Sequence, residues 1–132
     1  LESYRGKGES ILVVDDVKAQ GEMAVDMLIK LGYRASSVGS GEEAVAYLRS
    51  NRVYLIVLDM IMDPGMNGLE TYRQIIEIQP GQKAIIASGF SETALVRKAQ
   101  ALGAGAYVKK PYLLEKIGMA VWEELNRKAP SQ

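Results

Sequence analysis

Ile11-Leu12-Val13-Val14-Asp15-Asp16 and Leu55-Ile56-Val57-Leu58-Asp59-Met60 share one design: four consecutive aliphatic residues that end in a carboxylate. An apolar run this short is more strand than helix, and an unbroken run, unlike an alternating one, belongs to a strand covered on both faces. Ala84-Ile85-Ile86-Ala87 is a third run of the same kind and ends at Ser88. Residues 33–38 and 106–109 are weaker strand candidates, the first partly polar and therefore expected at a sheet edge. Lys110 and Pro111 follow the second.

Between these runs the apolar spacing becomes helical. Ala24, Met27, Leu28 and Leu31 share one face, and Leu114, Ile117, Val121 and Leu125 share another. Leu69, Tyr72, Ile75 and Ile76 mark a further helix, as do Leu95, Ala99 and Leu102, the latter ending at Gly103. Ser40 with Glu43 after it has capping-box spacing and starts one more. Strict alternation of strand and helix predicts parallel strands joined by right-handed crossovers. The expected fold class is α/β: a flavodoxin-like, doubly wound, five-stranded parallel sheet of order 2-1-3-4-5 with five helices.

The 132 residues suit one domain with its own core. Apolar residues at 48% and charged residues at 24% are a globular balance, and no apolar run approaches the ~20 residues that span a bilayer. Sixteen basic residues offset sixteen acidic ones, so no overall field favours nucleic acid, an anionic membrane or an acidic substrate. Any charged site must be local. Cysteine and histidine are both absent. That excludes disulfides, thiolate nucleophiles and imidazole acid–base chemistry, and argues against zinc. Residues 1–9, with Gly6, Lys7 and Gly8, read as a linker, residues 10–128 as the domain and residues 129–132 as a short tail. The chain opens on Leu1 with no signal peptide, so a segment of a longer protein in a cytoplasmic setting is expected.

In doubly wound sheets, ligands bind beyond the carboxyl ends of the strands, where the winding direction reverses. The order 2-1-3-4-5 makes the first and third strands neighbours at that point, which brings Asp15, Asp16 and Asp59 together. Ser88 ends the fourth strand and Lys110 follows the fifth. Converging carboxylates raise one another's pKa unless a cation sits among them. Mg2+ (or Mn2+) suits such a place, because it binds through one or two carboxylates and takes up phosphate oxygens. A carboxylate there can act as nucleophile toward phosphorus while metal and lysine neutralise charge on the equatorial oxygens. Ser88 would donate a hydrogen bond to the same group. Each residue alone has an ordinary reading: Asp16 as a helix cap, Asp59 as a loop residue, Ser88 and Lys110 as turn residues, Tyr107 as packing. Chance explains their coincidence at successive strand ends poorly.

These motifs resemble the receiver domains of two-component response regulators over nearly the whole chain. Residues 11–16 are similar to the family's acidic pair, 55–60 to its phosphoacceptor segment, 87–89 to its hydroxyl position, and 103–111 to its last strand with the lysine. The resemblance implies Asp59 as phosphoacceptor and Lys110, not Lys109, as the lysine that senses the phosphate. It implies Asp16 as a direct metal ligand, Asp15 as a ligand partly through water, and the Ile61 backbone carbonyl as a further ligand. It also implies a switch in which Tyr107 turns inward as Ser88 moves toward the phosphate, and a cis Lys110–Pro111 bond. Two features depart from the family. The spacing from Asp59 to Gly68 is one residue longer than the commonest one, and Ile61 and Phe90 are apolar where polar side chains often lie near the attacking water. Asp59-Met60-Ile61-Met62-Asp63-Pro64-Gly65-Met66, Ser88-Gly89-Phe90-Ser91 and Lys109-Lys110-Pro111-Tyr112 are most similar to receivers attached to hybrid sensor histidine kinases.

An aspartate-nucleophile hydrolase of the haloacid dehalogenase kind would use related residues, but its nucleophile follows the first strand in an Asp-x-Asp pattern, unlike Asp15-Asp16-Val17. A flavin module would need amides and hydroxyls where two carboxylates repel the flavin phosphate. A purely structural module would show no metal-dependent phosphorylation. The resemblance implies a domain that catalyses its own phosphorylation and dephosphorylation, within a parent chain that would be a protein-histidine kinase if it is a hybrid sensor. The donor is expected to be a phosphohistidine on a histidine kinase or phosphotransfer domain, since this chain has no histidine. Residues 128–132 do not resemble a DNA-binding module, so a downstream protein target is expected, with no nucleic acid and no membrane contact by this domain; any membrane attachment belongs to the parent. Met119 and Trp122, beside the stripe of the last helix, read first as peripheral packing and second as a candidate partner surface.

Overall fold

A computed structural model describes residues 4–62, 64–89 and 93–127. The strands are β1 (Ser10–Val14), β2 (Arg34–Val38), β3 (Leu55–Asp59), β4 (Ala84–Ser88) and β5 (Tyr107–Lys109). They alternate with helices α1 (Lys18–Lys30), α2 (Gly41–Ser50), α3 (Gly68–Ile78), α4 (Ala94–Ala101) and α5 (Leu114–Asn126). All strand pairs are parallel, in the order β2-β1-β3-β4-β5.

The unbroken apolar runs have a direct cause in this arrangement. Side chains along a strand point to opposite faces in turn. Leu12, Val14, Ile56, Leu58, Ala84 and Ile86 meet α2, α3 and α4 in one core, while Ile11, Val13, Leu55, Val57, Ile85 and Ala87 meet α1 and α5 in the other. Both faces of β1, β3 and β4 are therefore dry, and neither tolerates a polar residue until the strand ends. β2 is an edge strand whose Arg34, Ser36 and Ser37 are exposed, as its mixed composition predicts.

Two local expectations need correction. The buried face of α4 is Val96 and Ala99, whereas Leu95 is half-buried and Leu102 is 40% exposed. On a helix this short, two nearly equivalent apolar stripes compete, and contact with the sheet selects between them. The Ser40–Glu43 box is half formed: the Ser40 side chain accepts the Glu43 N–H at 3.0 Å, but the Glu43 carboxylate accepts the Gly39 N–H at 2.9 Å in place of the Ser40 amide. A complete box lies at α3 instead, where Asn67 accepts from the Glu70 N–H at 2.9 Å and Glu70 accepts from the Asn67 N–H at 3.1 Å. Such a cap contributes about 1 kcal/mol and fixes where the loop after β3 enters its helix.

At the far end of the sheet, Lys83 Nζ donates to the carbonyls of Glu124, Leu125 and Arg127 at 2.8, 3.0 and 2.7 Å. A cation at the carbonyl end of a helix is favourable and anchors the end of α5. Residues before β1 follow the α1–β2 turn, with Gly6 and Gly8 N–H donating to the Leu31 and Gly32 carbonyls at 2.6 and 2.8 Å. Tyr4 meets Trp122 edge to face, ring centroids 5.9 Å apart, so Trp122 is partly covered from within the chain. Among the described residues no helix is long and apolar enough to cross a membrane.

Candidate functional site

The carboxyl ends of β1, β3 and β4 carry the polar residues that the dry strands postpone. Asp15 follows β1, Asp59 is the last residue of β3 and Ser88 the last of β4; all three are buried, at 2%, 3% and 1% exposure. The ladders set their relative heights: Asp59 is opposite Ala87, and Ser88 is opposite Lys109. Lys110 comes directly after β5, its N–H donating to the Ser88 carbonyl at 2.8 Å. The Lys110–Pro111 peptide bond is cis, and Tyr112 beyond it is buried in the α1/α5 core.

Lys110 Nζ contacts Asp15 Oδ2 at 2.9 Å and Asp59 Oδ2 at 3.2 Å, with its own side chain 9% exposed. One ammonium thus ties together β1, β3 and β5 across the switch point. Lys109, the preceding residue, is exposed, consistent with neighbouring strand residues pointing opposite ways. One carboxylate oxygen from each of Asp15, Asp16 and Asp59 lies within 4.8 Å of the others. Asp16 is the exposed member of the three. Its ordinary reading as the cap of α1 does not hold, because the N-cap residue is Val17, with no side-chain cap bond, and the Val17 N–H is instead taken at 2.9 Å by Asp15 Oδ1.

Burial raises the Asp59 carboxyl from its ordinary 3.8 to about 6; Lys110 opposes this and the neighbouring Asp15 adds to it. Tyr112 is held well above the usual phenol range by burial first and then by the charges of Asp15 and Asp59. The single ammonium outweighs the repulsion from the neighbouring carboxylate but does not offset the cost of burying Asp59. The donor set fits a hard divalent cation: three carboxylates, all oxygen, close enough to share one ion, with a buried member whose ionisation a cation would favour.

The Ile61 N–H donates weakly to Asp59 Oδ1 at 3.4 Å, and the Ile61 side chain is 41% exposed. Tyr107 is half-buried against the core that includes α3 and α4. Phe90, expected near the attacking water, lies outside the described residues, as does Asp63 between β3 and α3. Two residues near the site had no assigned role in the sequence. Tyr112 was visible only as part of the Lys-Lys-Pro-Tyr motif. Glu42 accepts the N–H of Met66 at 3.1 Å, a contact that no local spacing signals.

The response regulator receiver domain family matches residues 11–121. The chemotaxis protein CheY of Thermotoga maritima is 32% identical over 106 residues, which are 80% of this chain and 88% of that protein. Sporulation initiation phosphotransferase F of Bacillus subtilis is 29% identical over 121 residues, 92% of this chain and 97% of that protein. Among solved structures, a CheY-like response regulator receiver domain protein from Methanospirillum hungatei superposes with a TM-score of 0.83 at 25% identity, covering 90% of this chain and 94% of that one. Sheet order, strand-end carboxylates and the family match agree: the chain belongs to the response regulator receiver domains, the phosphoacceptor modules of two-component signal transduction.

Proposed function

We propose that Asp59 receives the phosphoryl group, from a phosphohistidine on a histidine kinase or phosphotransfer protein, and that the domain spans residues 10–128 in a cytoplasmic setting. The observation that carries this assignment is the Lys110 ammonium shared between Asp15 and Asp59. A carboxylate oxygen of Asp59 attacks phosphorus in line; the new O–P bond forms as the N–P bond breaks, and the imidazole leaves with the electron pair. Asp59 must be ionised to do so, and its raised pKa means that a nearby cation increases the reactive fraction.

Receiver domains bind Mg2+ in an acidic pocket, and here Asp15, Asp16 and Asp59, with the Ile61 carbonyl, are the residues that would hold it. When bound, the ion neutralises charge on the carboxylates and on the phosphoryl oxygens. Lys110 stays within reach of the same oxygens and keeps the transferred group tied to β5. Ser88, joined to Lys110 through the backbone bond between them, donates its hydroxyl to the phosphoryl group, and Tyr107 responds by turning inward. The output is a changed surface read by a protein target. The local motifs around Asp59, Ser88 and Lys110 favour a sensor histidine kinase as the attached or cognate partner.

Incubation with a small acyl phosphate and Mg2+ tests this, followed by intact mass measurement. One phosphoryl group is expected on the parent and none on Asp59→Asn. Equal labelling of both would refute the assignment, and no labelling of either would favour a purely structural module.

A further inference from the structure

The end of the β3–α3 connection that enters α3 is held by a residue from another helix. The base of this connection is closed by the chain itself: the Gly68 N–H donates to the Met60 carbonyl at 3.0 Å, and Gly68 lies so close to the backbone of Asp59 and Met60 that a Cβ would collide with it. Its entry into α3 is closed by the Asn67–Glu70 box. Between them, Gly65 adopts φ +100, a conformation suited to glycine, and there the chain turns against α2. Glu42, in the first turn of α2, accepts the Met66 N–H at 3.1 Å, and its carboxylate comes so near Gly65 that a Cβ there would sit 2.7 Å from it.

The clasp is mounted rigidly. Gly41, next to Glu42, is buried against Thr71 of α3 with no room for a side chain, so the start of α2 is pinned to the helix that the loop leads into. Met66 is further held by Gln74 Nε2, 3.1 Å from its sulfur, and it packs against the core. We infer that Glu42 is a positioning residue: by taking the Met66 amide it fixes the entry into α3, and through the Gly68–Met60 backbone bond it sets the placement of Ile61 beside Asp59 and hence the affinity of the site for a divalent cation. Supports behind first-contact groups commonly govern metal affinity in this way. A carboxylate is well placed in a helix first turn, so its charge costs α2 nothing.

This role rests on the reading of the acidic pocket as a Mg2+ site, and the test separates the two. The parent, Glu42→Ala and Glu42→Gln are compared by amide hydrogen exchange without metal, by Mg2+ titration calorimetry and by thermal melting. Glutamine retains an oxygen acceptor for the Met66 N–H; alanine does not. Losing one hydrogen bond should speed Met66 exchange about fivefold in Glu42→Ala and leave it within about twofold in Glu42→Gln. The Mg2+ dissociation constant should rise about threefold or more in Glu42→Ala, with little change in Glu42→Gln or in the β1 and β3 amides. Unchanged Met66 exchange and Mg2+ affinity in Glu42→Ala would overturn the inference. So would equal defects in both variants, which would make charge the cause. A parent that binds no Mg2+ would overturn the metal reading itself, and Met66 exchange would then decide the clasp alone.

Discussion

Asp59→Asn should make the metal-free protein more stable at neutral pH, because the wild-type carboxylate ionises where burial disfavours it. The Asp59 pKa is about 6 in the folded protein against an ordinary 3.8, and burial is the largest cause. Folding therefore binds the proton more tightly. The penalty is absent below pH 3.8, grows as pH rises through 3.8 to 6, and is complete above that range. The difference between 6 and 3.8, at 1.36 kcal/mol per pH unit, corresponds to about 3 kcal/mol. Asparagine resembles the protonated form and escapes this cost, although it forgoes the ion pair with Lys110, whose help is already contained in the shifted value. Urea denaturation of parent and variant in chelator should show a gap approaching about 3 kcal/mol at pH 7.5, shrinking below about 1 kcal/mol at pH 4. Mg2+ at a hundredfold excess over its dissociation constant should stabilise the parent by about 2.7 kcal/mol and nearly close the gap. A variant no more stable than the parent at pH 7.5, or a gap unchanged at pH 4, would refute the electrostatic account.

Three further outcomes follow from the site. Asp16→Ala should weaken Mg2+ binding by calorimetry more than Asp15→Ala, because Asp15, whose oxygens already accept from Lys110 and the Val17 N–H, is left to act on the ion through water; equal losses would contradict this. Lys110→Ala should still accept some phosphate yet show no shift of Ser88 and Tyr107 amide resonances with a phosphate mimic, whereas the exposed Lys109→Ala should match the parent; a larger defect at Lys109 would reverse the assignment. Ile61→Asn should shorten the lifetime of the phosphorylated protein severalfold, timed by mass spectrometry at fixed Mg2+, because a half-exposed side chain next to Asp59 would then offer water a polar anchor; an unchanged rate would mean that Ile61 does not govern water access.

The strands and the candidate site were legible in the sequence because both depend on short-range rules. Four-residue apolar runs without alternation require a sheet covered on both sides, and a polar residue at the end of each run can only lie at the rim. The doubly wound topology then assigns the rim to the ligand, so Asp15, Asp59, Ser88 and Lys110 could be named before any distance was known. The spacing marks α4 and its buried Ala99, but not Val96, because its eight residues offer competing stripes that only the sheet decides between. Tertiary structure alone decided the quantities that join residues far apart in the chain. Lys110 reaches Asp15 across 95 positions, and Met66 finds Glu42 across 24. Asp59 is raised to about 6 by burial that involves three strands and the segment after β5. Hydrophobic period and turn chemistry are written locally, whereas distances between strand ends, and the desolvation that tunes a carboxylate, arise only when crossovers stack the ladders in register.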